Sequence, residues 1–178
     1  MNEVRLRPAT PDDAEGIRTI YNHEVLHTTA TFDLVPRTLH EQRSWLIERS
    51  GAFGALVAVV DRGGAEHVAG FAALSPYKER AAYRTTVEDS VYVDRTLGGL
   101  GIGSLLLTEV LSVARASGFH SVMARIEATG EASRRLHARC GFELIGVERE
   151  VGRKFHRWLD VAVMQCLLVA GAGGGDRD

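Results

Sequence analysis

The sequence predicts a mixed α/β domain: a mostly antiparallel sheet of about seven strands, flanked by about four helices, with strand–helix–strand crossovers in its second half. Three observations predict it. Short apolar runs with strand-like alternation or β-branched content recur between residues 4 and 168. Segments of helical period alternate with them in the order β-α-α-β-β-β-α-β-α-β(β). The totals also suit a single domain with its own core, at 178 residues, 45% hydrophobic and 25% charged.

Val4-Arg5-Leu6-Arg7 alternates as a short strand and stops at Pro8. Thr10-Pro11-Asp12-Asp13 supplies an N-cap, a proline at the first helical position and acidic first-turn residues, and Ala14, Ile17, Ile20 and Tyr21 share one helical face. A loop over 26–36 carries Thr28-Thr29-Ala30-Thr31-Phe32, and a second helix is expected over 39–48. Ala55 to Val60 and His67 to Leu74 are strands around the turn Asp61-Arg62-Gly63-Gly64. A polar connection over 75–83 leads to a long strand, 85–93. Helices follow at 104–116, closed by Gly118, and at 132–139, closed by Cys140-Gly141, with a strand over 121–126 between them. One or two strands complete the domain near Leu168, and the glycine-rich stretch 170–178 reads as a disordered tail.

A formal charge of −2 gives no bulk attraction to nucleic acid or anionic membrane. Cys140 and Cys166 form no CxxC pair, and the seven histidines show no metal-ligand spacing, so no metal is expected. The first residues lack the apolar stretch of a signal peptide, and no window reaches membrane-spanning length, so a cytoplasmic location is expected.

The chemistry-bearing feature is Gly98-Gly99-Leu100-Gly101-Ile102-Gly103, between a strand and a helix. Glycines let successive N–H groups point to one side, and a helix start adds unpaired donors and its positive dipole end. Such a turn suits a pyrophosphate, although a tight turn with no ligand is an equal reading of the cluster alone. No lysine stands where a P-loop needs one. The spacing also fails the dinucleotide fingerprint: the sixth position from Gly99 is Ser104, and from Gly101 it is Leu106.

Several further segments stand in order around that turn. They include Ile20-Tyr21-Asn22-His23, Thr29-Ala30-Thr31-Phe32, Arg84-Thr85-Thr86-Val87-Glu88-Asp89-Ser90-Val91-Tyr92-Val93, Leu136-His137-Ala138-Arg139-Cys140-Gly141-Phe142 and Val151-Gly152-Arg153-Lys154-Phe155-His156-Arg157-Trp158-Leu159-Asp160-Val161. Over residues 4–168 the chain thereby resembles the GCN5-related N-acetyltransferase superfamily, and within it the phosphinothricin and methionine-sulfoximine acetyltransferase branch. The resemblance implies acetyl-CoA as cofactor. Gly99, Leu100, Gly101, Ile102, Gly103 and Ser104 would wrap its pyrophosphate, and Val91, Tyr92 and Val93 would pair with its pantetheine arm. Gly130 and Ser133 would contribute from the next helix. Two positions depart from the pattern: Gly98 replaces the usual Gln or Arg, and Gly130 replaces an asparagine that touches the cofactor, so weaker affinity is expected.

The resemblance also implies the reacting groups. In isolation Glu88 reads as a surface strand glutamate; the surrounding match makes it the general base, with its direction set by a bulge usual in this strand. His137 stands where most of the superfamily carries a tyrosine that protonates the leaving thiolate, and histidine keeps a titratable donor there. Lys78, Arg80 and Arg84 are the cations expected to meet an acceptor's carboxylate or phosphinate, with Tyr83, Phe32 and Thr31 as pocket walls. Lys78 and Arg80 depart from the branch pattern. The implied reaction is direct acetylation of a small amino acid or analogue by a homodimer. A protein N-terminus, a polyamine, an aminoglycoside or a silent acyl-CoA sensor are the other readings that the residues leave open.

Overall fold

The structure, a computed structural model, describes residues 3–168. The stretch expected to form a tail lies outside the described residues. Seven strands form one sheet: β1 (Arg5–Pro8), β2 (Leu56–Arg62), β3 (Ala65–Pro76), β4 (Thr86–Val93), β5 (Ser121–Glu127), β6 (Glu143–Lys154) and β7 (Arg157–Leu167). Their order is β1-β2-β3-β4-β5-β7-β6, and every neighbouring pair is antiparallel except β4–β5. Four helices flank the sheet: α1 (Ala14–His27), α2 (Leu39–Ile47), α3 (Ile102–Ala116) and α4 (Glu131–Arg139).

Strand alternation divides the core into two layers. Val57, Val59, Phe71 and Ala73 face α1 and α2, where Ile17, Ile20, Tyr21, Val25 and Leu46 cover them. Ala58, Val60, Ala72, Leu74 and Val87 face α3, which contributes Ile102, Leu106, Leu107, Val110 and Leu111. Burying a side chain of this size is worth about 1.5–3 kcal/mol, so α3, apolar at five such positions, is held mainly by packing. The α2 helix begins at Thr38, whose hydroxyl accepts from the Glu41 N–H at 3.2 Å while the Glu41 carboxylate accepts the Thr38 N–H at 2.7 Å.

The feature that makes a site is the short β4–β5 ladder. It pairs Thr86 with Ser121, Val87 with Val122 and Glu88 with Met123, and then ends. From Asp89 onward β4 keeps only its β3 neighbour, so one side of its backbone opens into a cleft. The β3–β4 ladder runs from Pro76↔Val87 to Gly70↔Val93 without a register shift. The bulge expected at Glu88 is therefore absent. Glu88 shares a face with Ser90 and Tyr92, towards α1, whereas Asp89, Val91 and Val93 face α3.

Candidate active site

A cavity of about 520 Å³ occupies the opening between β4 and β5. Its wall includes β4 from Glu88 to Val93, β5 from Ala124 to Glu127, the loop from Thr28 to Phe32, and Gly130, Ser133 and His137 near or on α4. Because the cleft passes through the sheet, it has two chemically different sides.

On the α1 side stand Glu88, Arg125 and Glu127. Val122, Ala124 and Ile126 belong to the α3-side core, so the alternate β5 positions 123, 125 and 127 point the other way, as Glu88 does beside Met123. Burial pushes the Glu88 carboxyl above the ordinary glutamate range, and the nearby Arg125 charge opposes this only in part. Arg125 in turn is oriented by Glu148 of β6, at 2.8 Å from Nη1 to Oε1. Glu127 is buried and accepts from the Thr129 hydroxyl at 2.6 Å and the Thr29 hydroxyl at 3.1 Å, tying the loop to the end of β5.

On the α3 side stands a buried ion pair. His137 Nε2 lies 3.0 Å from Asp89 Oδ2, with side-chain exposures of 5% and 1%. His137 Nδ1 lies 2.7 Å from the Ser133 carbonyl oxygen. Burial disfavours the imidazolium, but the Asp89 hydrogen bond and charge, with the Ser133 carbonyl, outweigh it and raise the histidine pKa above its ordinary value. Asp89 Oδ1 is buried and has no hydrogen-bond partner among the described residues.

The loop that walls the α1 side is fastened at several points. Glu24 accepts from Arg95 at 2.7 and 2.8 Å and from the Thr28 hydroxyl at 2.6 Å. Lys154 is buried and donates to the Thr31 carbonyl at 2.7 Å and the Glu24 carbonyl at 3.3 Å, which joins the β6–β7 hairpin to this loop. Phe32 lies against Gly152 so closely that a Cβ there would sit 2.1 Å from its ring. Only glycine leaves Phe32 where it is.

Of the residues expected from the sequence, the structure brings Glu88, Val91, Tyr92, Val93, Gly130, Ser133, His137, Thr31 and Phe32 to one cavity. Gly99 to Ser104 stand instead at the head of α3. Gly99 and Gly101 have φ of 82° and 75°, in the left-handed region, and a Cβ at either would meet nothing within 4 Å. Ile102 is a core residue, so only its backbone is available to a ligand. At Gly130 a Cβ would lie 3.0 Å from the Glu127 carbonyl oxygen, so the backbone is packed for glycine where the pattern has asparagine.

Lys78, Arg80, Tyr83 and Arg84 are not on the cavity wall. They lie on the exposed connection before β4, where the Lys78 ammonium sits 4.8 Å from the Tyr77 ring centroid and 5.2 Å from that of Tyr83. The nine residues of this connection, 77–85, offered no register from which to place them. Besides Glu88 and His137, the cavity carries the charged groups Glu24, Asp89, Arg95, Arg125 and Glu127, which sequence reasoning passed over. Arg125 did leave a signal: it is the single charge inside the apolar run Val122-Met123-Ala124-Arg125-Ile126.

An opened parallel strand pair, a glycine turn at a helix head and a buried carboxylate beside the opening define an acyl-CoA-dependent transferase site. The groups present fit acetyl-CoA: unpaired β4 backbone for an extended arm and, at the head of α3, a glycine turn with open space at Gly99 and Gly101 for phosphates. The acetyltransferase (GNAT) family model matches residues 17–142. The chain is 42% identical over 160 residues to a phosphinothricin N-acetyltransferase of Streptomyces coelicolor, covering 90% of this chain and 94% of that protein. It is 38% identical over 163 residues to an L-methionine sulfoximine/L-methionine sulfone acetyltransferase of Pseudomonas aeruginosa, covering 92% and 94%. A crystal structure of a phosphinothricin acetyltransferase from Sinorhizobium meliloti in complex with acetyl-CoA superposes with a TM-score of 0.86 at 37% identity, over 93% of this chain and 88% of that one. The chain belongs to the GNAT acetyltransferase family, and acetyl-CoA is its cofactor.

Proposed function

We propose that the protein acetylates the α-amine of a small amino acid or close analogue, of the methionine sulfoximine, methionine sulfone or phosphinothricin type. The observation that carries this reading is Glu88, part-buried, with a raised pKa, at the point where β4 and β5 part. Bound acetyl-CoA would supply a thioester carbonyl and a thiolate leaving group. Glu88 takes a proton from the acceptor ammonium, directly or through water, so that a neutral amine attacks. The raised pKa makes its carboxylate a better base than an exposed glutamate. His137, on the α3 side, would supply the proton that a departing thiolate needs, and its contact with Asp89 favours the protonated imidazole. Delivery of that proton requires Nε2–H to leave Asp89. Cys140 is not on the cavity wall, and burial pushes its thiol up, so no covalent enzyme intermediate is assigned.

Thr31 and Phe32 form the acceptor wall in this reading, and Lys78, Arg80 and Arg84, with Tyr83, serve at its mouth for a distal anionic group. Their support is position: the Arg125 guanidinium on the wall feels Tyr77 of the same connection.

A homodimer in the cytoplasm completes the reading. No helix among the described residues is long and apolar enough to cross a membrane. The last strand in the sheet order, β6, exposes Leu144, Ile145, Val147 and Val151, and its partner β7 exposes Trp158. An apolar edge of this kind calls for a partner, and a second copy of the chain supplies a matching one. Light scattering of the eluted protein reads the mass directly, and a monomer would remove the dimer from the proposal. The function itself is tested by thiol release from acetyl-CoA with amino acids, sulfoximines, polyamines and peptides. Turnover confined to polyamines or peptides overturns it.

A further inference from the structure

The geometry points to Arg125 as the anchor for the acceptor's α-carboxylate, an inference that rests on the reading of the acceptor as an α-amino acid. In such a molecule the amine and the carboxylate hang from one carbon. The cation that holds the carboxylate must therefore stand beside the base that deprotonates the amine, on the same side of the sheet. Arg125 meets both requirements. It lies on the cavity wall, two positions beyond the Met123 that pairs with Glu88, and so on Glu88's face. The two charges are close enough to perturb each other's titration. Lys78, Arg80 and Arg84 are off the wall, and Arg95 is engaged twice by Glu24.

The guanidinium is also prepared for a ligand. Glu148 accepts one hydrogen bond from Nη1 and holds Nη2 as an ion pair, which orients the fork. A guanidinium carries five N–H donors, and those not given to Glu148 have no partner among the described residues. The side chain is one-third exposed, at 33%. It is open to the cavity but not loose in solvent. A carboxylate can thus dock without displacing Glu148, and Glu148 keeps Arg125 from collapsing onto Glu88. Arginine in this position selects planar anions rather than point charges.

The test compares L-methionine sulfone with its carboxamide, which has the same size but no negative charge. In the wild type the acid should be preferred, by kcat/KM. In Arg125→Gln, with kcat/KM of each enzyme taken above its own acidic limb, that preference should fall by about 10- to 100-fold, through the KM of the acid. Arg125→Lys should restore only part of it, since a point charge lacks the fork. Acetyl-CoA affinity, measured by calorimetry, should stay at the wild-type value and shows that the variant is folded. An acid-to-amide preference unchanged by Arg125→Gln overturns the anchor while leaving the proposed function standing. So does an equal loss on both acceptors. Failure of the wild type to acetylate any α-amino acid overturns the function and the anchor together.

Discussion

His137 Nε2 lies 3.0 Å from Asp89 Oδ2 while His137 Nδ1 lies 2.7 Å from the Ser133 carbonyl oxygen, so both ring nitrogens face acceptors. A neutral imidazole has one N–H and can satisfy only one of them. The pair therefore favours the imidazolium, and Asp89 is the largest contribution that raises the histidine pKa.

Asp89→Asn should lower the His137 pKa, read from the pH dependence of its ring NMR signals. The native value lies above the unfolded one, so this pair stabilises the protein fully below about pH 6.5, and the contribution is lost as pH rises through the native pKa. Denaturation of the wild type across that window should show the loss, and the variant should not. A wild-type stability flat across the window would contradict the assignment.

Glu88→Gln should reduce kcat by about 10²- to 10⁴-fold. In the proposed role Glu88 works as the carboxylate, so activity should fall as pH drops through its raised pKa. Arg125 lowers that pKa, whereas burial, Asp89 and Glu148 raise it. Arg125→Gln should accordingly move the acidic limb of the kcat profile to higher pH. A limb that does not move would mean that Glu88 is not the group titrating.

Gly152→Ala would place a Cβ 2.1 Å from the Phe32 ring, and the ring must leave its seat. Overpacking of this kind costs about 1–3 kcal/mol of stability. Acceptor KM should rise while acetyl-CoA affinity holds, because Phe32 lines the cavity on the side proposed for the acceptor. Calorimetric melting and steady-state kinetics read the two effects separately.

Arg95→Ala leaves Glu24 buried with the Thr28 hydroxyl but without a cation. Arg95 is more than half exposed, at 57%, so the loss should be modest, about 1–2 kcal/mol in urea denaturation. Burial favours the neutral form of Glu24, yet Arg95 and Thr28 together hold its pKa below the ordinary range. Its stabilisation is present above about pH 4.3 and lost as pH falls through the native value, so the wild type should lose it in acid and the variant should start without it.

Much of this was legible in the residues, for reasons that differ by element. Strands and helices followed from period: Ile17, Ile20 and Tyr21 do line one face of α1, and Val57 and Val59 do point away from Ala58 and Val60. Helix α3 begins at Ile102 rather than Ser104, because Gly101 is its N-cap and the glycine run already belongs to the helix head. Glu88 and His137 were singled out through the motif around them, since a lone glutamate or histidine carries no address, and both line the cavity. What stayed hidden were partners joined only by folding. Asp89 meets His137 across 48 positions, Thr29 meets Glu127 across 98 and Lys154 meets Thr31 across 123. The strand's regularity at Glu88 was hidden too, because a bulge is a property of two strands in register.

Lys154 and Gly152 belong to the edge strand that carries the exposed apolar face, yet both touch the acceptor loop, one through the Thr31 carbonyl and the other through the Phe32 ring. One strand thus carries the proposed dimer face and also backs the cavity. Linkage is reciprocal: if gripping that face favours one shape of the cavity, an acceptor that favours the same shape strengthens the grip in equal measure.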